Sequence, residues 1–204
     1  MGLDTVLLST TYFGPVQWYQ KLNRYGNAIV EAHETFCKQT YRNRCLIATA
    51  QGWQALTVPV AHDDSSAAID TLRISDHGNW RHLHWQAITS AYGDSPFLEY
   101  YEDDLRPFFF ERNWEYLFDF NWDICKKMCE LIDIHPQLAR TERYVKEGDV
   151  TDLRDSINPK HPAADPDFIP RQYYQVFSYR HGFLPNLSIL DLLLNMGPES
   201  ILFL

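Results

Sequence analysis

The eight residues "KQTYRNRC", Lys38 to Cys45, concentrate cationic and amide donors in a chain whose formal net charge is −9. On an extended backbone Arg42 and Arg44 project to one side and Asn43 to the other. Guanidinium forks grip phosphate or carboxylate through paired hydrogen bonds, and Gln39 and Asn43 add neutral donors. One reading is a cradle for an anion. The other is a loop and strand edge protected from aggregation by its charge. The stretch "STTYFGPVQW" supplies a second anion candidate, because Tyr12 and Gly14 lie where a strand would run into a helix N-terminus. Free N–H groups and the positive end of the helix dipole favour anions there. Alternatively, Gly14-Pro15 is only the bend that opens the helix.

Proton-transfer candidates come from "HGNWRHLHWQAI", in which Trp80, His84 and Ile88 share one helical face while His82 points elsewhere. Facing a cavity, His84 would serve as a general base near neutral pH; closed into a core, it would be a hydrogen-bonded structural residue. Tyr92, just before Gly93, adds a hydroxyl, so His84 and Tyr92 are the catalytic candidates. The acidic runs "YYEDDLR" and "VAHDDSS" read as solvated faces. In "NLSILDLLLN", Asp191 follows Ser188 by three, a capping-box arrangement with Asp in place of Glu. No nucleophile elbow, zinc-protease helix, dinucleotide fingerprint or P-loop is present, and the residues name no cofactor. Cys125 and Cys129 sit one helical turn apart and read as small hydrophobes, so no metal site is expected.

These residues need elements to hold them. "TVLLST" (Thr5 to Thr10) is a buried strand by composition, and "GPVQWYQKLNRYG" a helix from Pro15 to a stop at Gly26. "NAIVEAH" is the next strand, which completes a parallel βαβ unit. "CLIATA" and "QALTVPVA" form a hairpin turning at Gln51-Gly52, with Pro59 at a strand end. "AHDDSSAA" is a polar loop, and "IDTLRIS" alternates like one more strand. From Asn79 the period becomes helical: "NWRHLHWQAITSAYG" between Asn79 and Gly93, "SPFLEYYEDDLRPFFFE" from a Ser95 cap, and "NWEYLFDFNWDICKKMCELIDI". Residues 140–171 are polar and Pro-containing, a long loop of the kind that forms lids. "YYQVFSYR" is a candidate strand. The expected class is α+β, a single 1–204 domain. Residues 1–75 form a mixed sheet with a βαβ-like start, and residues 76–204 are mainly helical.

Composition bounds the rest. The chain has 204 residues with 45% hydrophobic and 15% aromatic content, enough for a core and for aromatic pocket walls. Its acidic balance argues against a nucleic-acid partner. Four cysteines do not make a disulfide scaffold. The N-terminus lacks the pattern of a signal peptide and no apolar run reaches membrane-spanning length, so a cytoplasmic protein without a membrane span is expected. "RPFFFERNWEYLF" either packs inside or forms a homodimer interface.

Taken in order, "TTYFGPVQWYQKL", "KQTYRNRCLI", "GWQALTVPV", "WRHLHWQAITSAYGDSPF", "YYQVF" and "NLSILDLLLNMGP" resemble the WbqC-like protein family of bacteria over almost the whole chain. Members are similar in length and tend to be encoded among genes for O-antigen and other surface polysaccharides. The resemblance implies a cytoplasmic role in making or modifying a sugar nucleotide, and brings no catalytic residues with it. The expectation is a small sugar-modifying transferase whose partner is a small anionic ligand, a sugar nucleotide or an acyl or aminoacyl donor. The alternative is a non-catalytic ligand-binding or assembly protein of the same pathway. A likeness to nucleotidylyl transferases lacks their HxGH signature, for which "YFGP" offers only the glycine.

Overall fold

The computed structural model describes residues 4–61, 67–146 and 150–204. Strand β1 (Thr5–Ser9), helix α1 (Val16–Tyr25) and strand β2 (Asn27–Glu31) form the expected parallel βαβ start. Helix α1 begins after Pro15 and ends at Gly26, whose left-handed backbone returns its N–H to the Leu22 carbonyl. Its buried stripe, with Val16, Trp18, Tyr19 and Leu22, lies on the sheet, and Trp18 Nε1 donates to the Ser9 carbonyl at 3.0 Å.

Two short strands complete this sheet: β5 (Gln137–Arg140) pairs with β2 and β6 (Thr151–Asp152) pairs with β1, all parallel, in the order β5-β2-β1-β6. The hairpin of β3 (Arg44–Thr49) and β4 (Gly52–Thr57) is a separate antiparallel sheet turning one residue earlier than expected, at Ala50-Gln51. The α+β class therefore holds, with parallel and antiparallel pairing divided between two sheets.

Helices follow as α2 (Trp80–Tyr92), α3 (Leu98–Leu105), the single turn α4 (Pro107–Phe110) and α5 (Leu117–Leu131), then α6 (Ser178–His181) and α7 (Ile189–Met196). Most of the aromatic stretch packs inward: Phe108 and Phe109 are buried, and Phe108 stacks on Trp114 at 5.4 Å. Cys125 and Cys129 are buried in α5 as free thiols.

Several expectations need correction. "IDTLRIS" is not a strand; only isolated bridges at Ala68, Arg73 and Ile74 form, and Ile69 and Leu72 are the fully buried pair. That three-residue spacing belongs to a turn, where Thr71 N–H donates to the Ala68 carbonyl. The helix expected from Ser95 starts at Leu98. "YYQVFSYR" is not a strand: residues 173–177 are irregular, with Tyr173 and Gln175 bonded to Asp191 through their side chains, and Ser178–His181 is helix α6. The 140–171 loop is broken by β6. The polar loop over 61–68 lies, at 62–66, outside the described residues.

Helix α7 ends at Gly197, with φ +55°. A Cβ there would lie 2.5 Å from the Phe97 ring. Gly197→Ala is expected to cost about 2–4 kcal/mol through left-handed strain and overpacking, read as a lower midpoint in urea unfolding.

Candidate functional site

The residues singled out by sequence separate into three places. Tyr12, fully buried, donates its hydroxyl proton to His84 Nδ1 at 2.8 Å, while the His84 ring also bonds the Thr57 backbone. Burial pushes the His84 pKa down to about 4, so the ring is neutral near pH 7 and accepts from Tyr12. Tyr92 lies in a different knot: its hydroxyl donates to Asp191 Oδ1 at 2.9 Å and accepts the Ala48 N–H at 3.2 Å. Asp191 Oδ2 accepts from the Tyr173 hydroxyl and Gln175 Nε2, both at 2.7 Å. The expected capping box is thus half formed. Ser188 Oγ accepts the Leu190 N–H, but Asp191 turns into the core.

The β1–α1 turn is closed by the protein itself. The first N–H groups of α1 donate to Leu187 O, from Val16, to Asn186 Oδ1, from Gln17, and to Pro15 O, from Trp18. Gly14 is required for close packing, since a Cβ there would lie 2.9 Å from Thr11 Cβ.

In "KQTYRNRC" the chain turns through residues 38–43 and becomes a strand only at Arg44, so alternation does not set the arginines side by side. Gln39 is an exposed turn residue with φ 63°. Asn43 Nδ2 donates to the Val58 carbonyl at 2.8 Å, and Arg44 Nε to Thr57 Oγ1 at 3.0 Å. Arg42 turns inward beneath the sheet's carboxyl end. Its Nε and Nη2 grip both oxygens of Glu34, at 2.8 and 2.5 Å, and Nη2 also reaches Ser9 Oγ at 2.8 Å. Burial pulls its pKa down, but the Glu34 bond and charge outweigh that, and the guanidinium stays charged.

Around Arg42 the carboxyl ends of β1, β2, β5 and β6 converge, where parallel sheets place their ligands. Glu31, the last residue of β2, is fully buried and accepts four bonds: from His33 N–H, Thr141 Oγ1, Val145 N–H and Arg154 Nη1. Arg154, just past β6, also grips Asp152, which lowers the Asp152 carboxyl, and lies over the Tyr144 ring at 5.0 Å. Above this network opens a cleft of about 350 Å³ lined by His33, Glu34, Cys37, Arg42, Tyr144 and Arg154 among others. A neighbouring hollow of about 390 Å³ shares His33 and adds Asp70, Arg140 and Thr141. His33 Nδ1 lies 3.0 Å from Asp70 Oδ2, with both side chains about 30% exposed. A carboxylate only accepts, so the neutral ring carries its proton on Nδ1 and offers Nε2 as a base.

Of the residues selected by sequence, Arg42 lines the cleft; Tyr12, Gly14, Gln39, Asn43, Arg44, His84 and Tyr92 do not. Sequence reading missed His33, Glu31, Glu34, Asp70 and Arg154. A signal was available for the first three, since "EAHE" puts two carboxylates and a histidine at the carboxyl end of a parallel strand. Asp70 and Arg154 join only through the fold. Among the described residues no group of three or more His, Cys, Asp or Glu is placed to hold a metal, and no helix is long and apolar enough to cross a membrane.

The model of the WbqC-like protein family matches residues 10–161, a span that contains every cleft residue named above but not Tyr173, Gln175 or Asp191 of the second knot. A similar protein is the uncharacterized protein Rv1507c of Mycobacterium tuberculosis, 24% identical over 188 residues that cover 81% of each chain. No solved structure gives a significant match. With three quarters of its length under that family model, the chain belongs to the WbqC-like protein family.

Proposed function

We propose that the chain is a small transferase that modifies a sugar in bacterial surface-polysaccharide biosynthesis, with its chemistry in the cleft at the sheet's carboxyl end. The observation that carries this reading is the His33–Asp70 pair at the cleft mouth, beside two guanidinium groups fixed by buried carboxylates. His33 Nε2 takes the proton from an acceptor hydroxyl or amine. The acceptor atom then bonds to the transferred carbon of a sugar-nucleotide or acyl donor, and the bond to the leaving group breaks with its electron pair. Arg42 Nη1, which bonds to no described residue, donates to the anionic part of the donor. On this reading His84 and Tyr92 hold the scaffold, and proton transfer belongs to His33.

A second reading, a ligand-binding protein of the same pathway without turnover, is favoured by the pairing of both arginines with carboxylates. That pairing weakens their pull on a phosphate. The test is a panel of sugar nucleotides and acyl donors offered with sugar acceptors, with products read by mass spectrometry. His33→Ala is expected to lower turnover about 10²–10⁴-fold while leaving the melting temperature nearly unchanged. Turnover that survives the substitution sinks the base assignment, and ligand stabilisation without any product favours the binding protein.

A further inference from the structure

We propose that a groove beside Trp53 is a second subsite, which holds a neutral pyranose ring of the substrate whose reacting group lies in the cleft. The assignment of the reacting end rests on the transferase reading; the groove itself does not. It encloses about 260 Å³, and its walls include Tyr41, Trp53, Pro159, Pro162 and Leu184. Among the described residues no Asp, Glu, Lys, Arg or His lines it, so its described walls offer a phosphate or carboxylate no counter-charge.

Trp53, on β4, is 62% exposed. An indole left in water at the edge of a concave, proline-walled groove presents a flat apolar face with little rotamer freedom to lose on binding. Three carboxamides line the same groove. Gln17 and Asn186 are locked to each other, through Gln17 N–H to Asn186 Oδ1 at 2.9 Å and Asn186 Nδ2 to Gln17 Oε1 at 3.0 Å. Asn158 Oδ1 accepts the Lys160 N–H at 2.9 Å, and its Nδ2 bonds to no described residue. An apolar face with neutral donors and acceptors around it matches a pyranose, whose C–H face is apolar and whose hydroxyls lie at the ring edge. The volume suits one ring and falls below that of a drug-sized pocket.

The groove and the cleft share no lining residue but border a common small hollow. That hollow, of about 10 Å³, shares Tyr41 with the groove and Arg42 and Arg154 with the cleft. The segment 153–162 borders all three, contributing Arg154 to the cleft, Ile157 to the small hollow and Asn158 to the groove. Burial raises the Tyr41 hydroxyl to about 12, so between the two sites it remains a neutral donor.

Saturation-transfer NMR on the full chain tests this, using the methyl glycosides of glucose, galactose and mannose, with adenosine and uridine as competing probes. At least one glycoside is expected to show saturation on its ring protons. Trp53→Ala is expected to weaken its binding roughly tenfold or more, Trp53→Phe less, and His33→Ala not at all. Glycoside binding that survives Trp53→Ala and is lost in His33→Ala places the ring in the cleft, which overturns the subsite and leaves the transferase reading intact. Nucleosides binding in a Trp53-dependent way where no glycoside does overturns the sugar assignment. No binding by any probe at millimolar concentration overturns the subsite, while the transferase reading still stands or falls on turnover.

Discussion

Asp191→Ala is expected to lower the melting temperature by about 10 °C, a loss of about 4 kcal/mol for a chain of this size. The carboxylate is fully buried and accepts from Tyr92, Tyr173 and Gln175, which tie α7 to α2 and to the 173–175 segment. Removing it strands three buried donors, each costing about 1–3 kcal/mol, and leaves a small cavity. Asp191→Asn keeps one acceptor oxygen and is expected to cost less. A shift of under about 2 °C for the alanine variant would show that the knot does not hold α7.

The same carboxylate has a pH signature. Burial raises its pKa from 3.8 to about 6, against the bonds from Tyr173, Gln175 and Tyr92 that act the other way. A carboxyl that binds its proton more tightly when folded contributes stability that is full below pH 3.8 and is lost as pH rises through 6. His84 works in the opposite sense. Its pKa falls from 6.5 to about 4, so its contribution is present above 6.5 and lost as pH falls through 4. Each swing is worth about 3 kcal/mol, so between pH 4 and 6 they offset each other. Chemical denaturation across that window should give a flat profile for these two groups in the wild type. In Asp191→Asn the His84 slope is exposed, and stability should climb with pH. A flat profile in that variant would contradict the shifts.

What the sequence made legible was local. Pro15 and Gly26 bracket α1, and the apolar runs around it pair directly as β1 and β2, so the βαβ start needed no distant information. Strands β5 and β6 had no such signal. "QLAR" and "TD" are short, largely exposed and without alternation, and they are strands only because β2 and β1 offer open edges. "IDTLRIS" failed in reverse, since its alternation was a coincidence of polar spacing around a turn that buries Ile69 and Leu72. The site divides in the same way. Arg42 could be read as a binder of negative charge, and it is one. Its partner is Glu34, eight residues back, a pairing that depends on the turn between them. Glu31 and Arg154 lie 123 residues apart and meet only when β6 is laid beside β1.

Arg42→Ala is expected to destabilise the chain by about 3–5 kcal/mol, because it leaves the Glu34 carboxylate buried without a counter-charge. Both side chains are 8% exposed, and Arg42 also supplies a bond to Ser9 and, through its carbonyl, accepts from Asn121 Nδ2 at 2.7 Å. The backbone bond survives the substitution; the side-chain bonds do not. Replacing both partners, as Arg42→Met with Glu34→Leu, removes the charges together and fills similar volume. Such swaps of buried pairs by apolar residues are often neutral or stabilising. The double variant should therefore recover most of the lost stability in urea unfolding. If it does, its ligand behaviour becomes decisive. A folded, stable double variant that no longer binds or turns over an anionic donor assigns the pair to the cleft's function. One that binds as well as the wild type would make the pair a structural clamp and remove Arg42 from the site. Were the double variant as unstable as Arg42→Ala, the Ser9 bond and local packing, not the ion pair, would be what fixes the carboxyl end of the sheet.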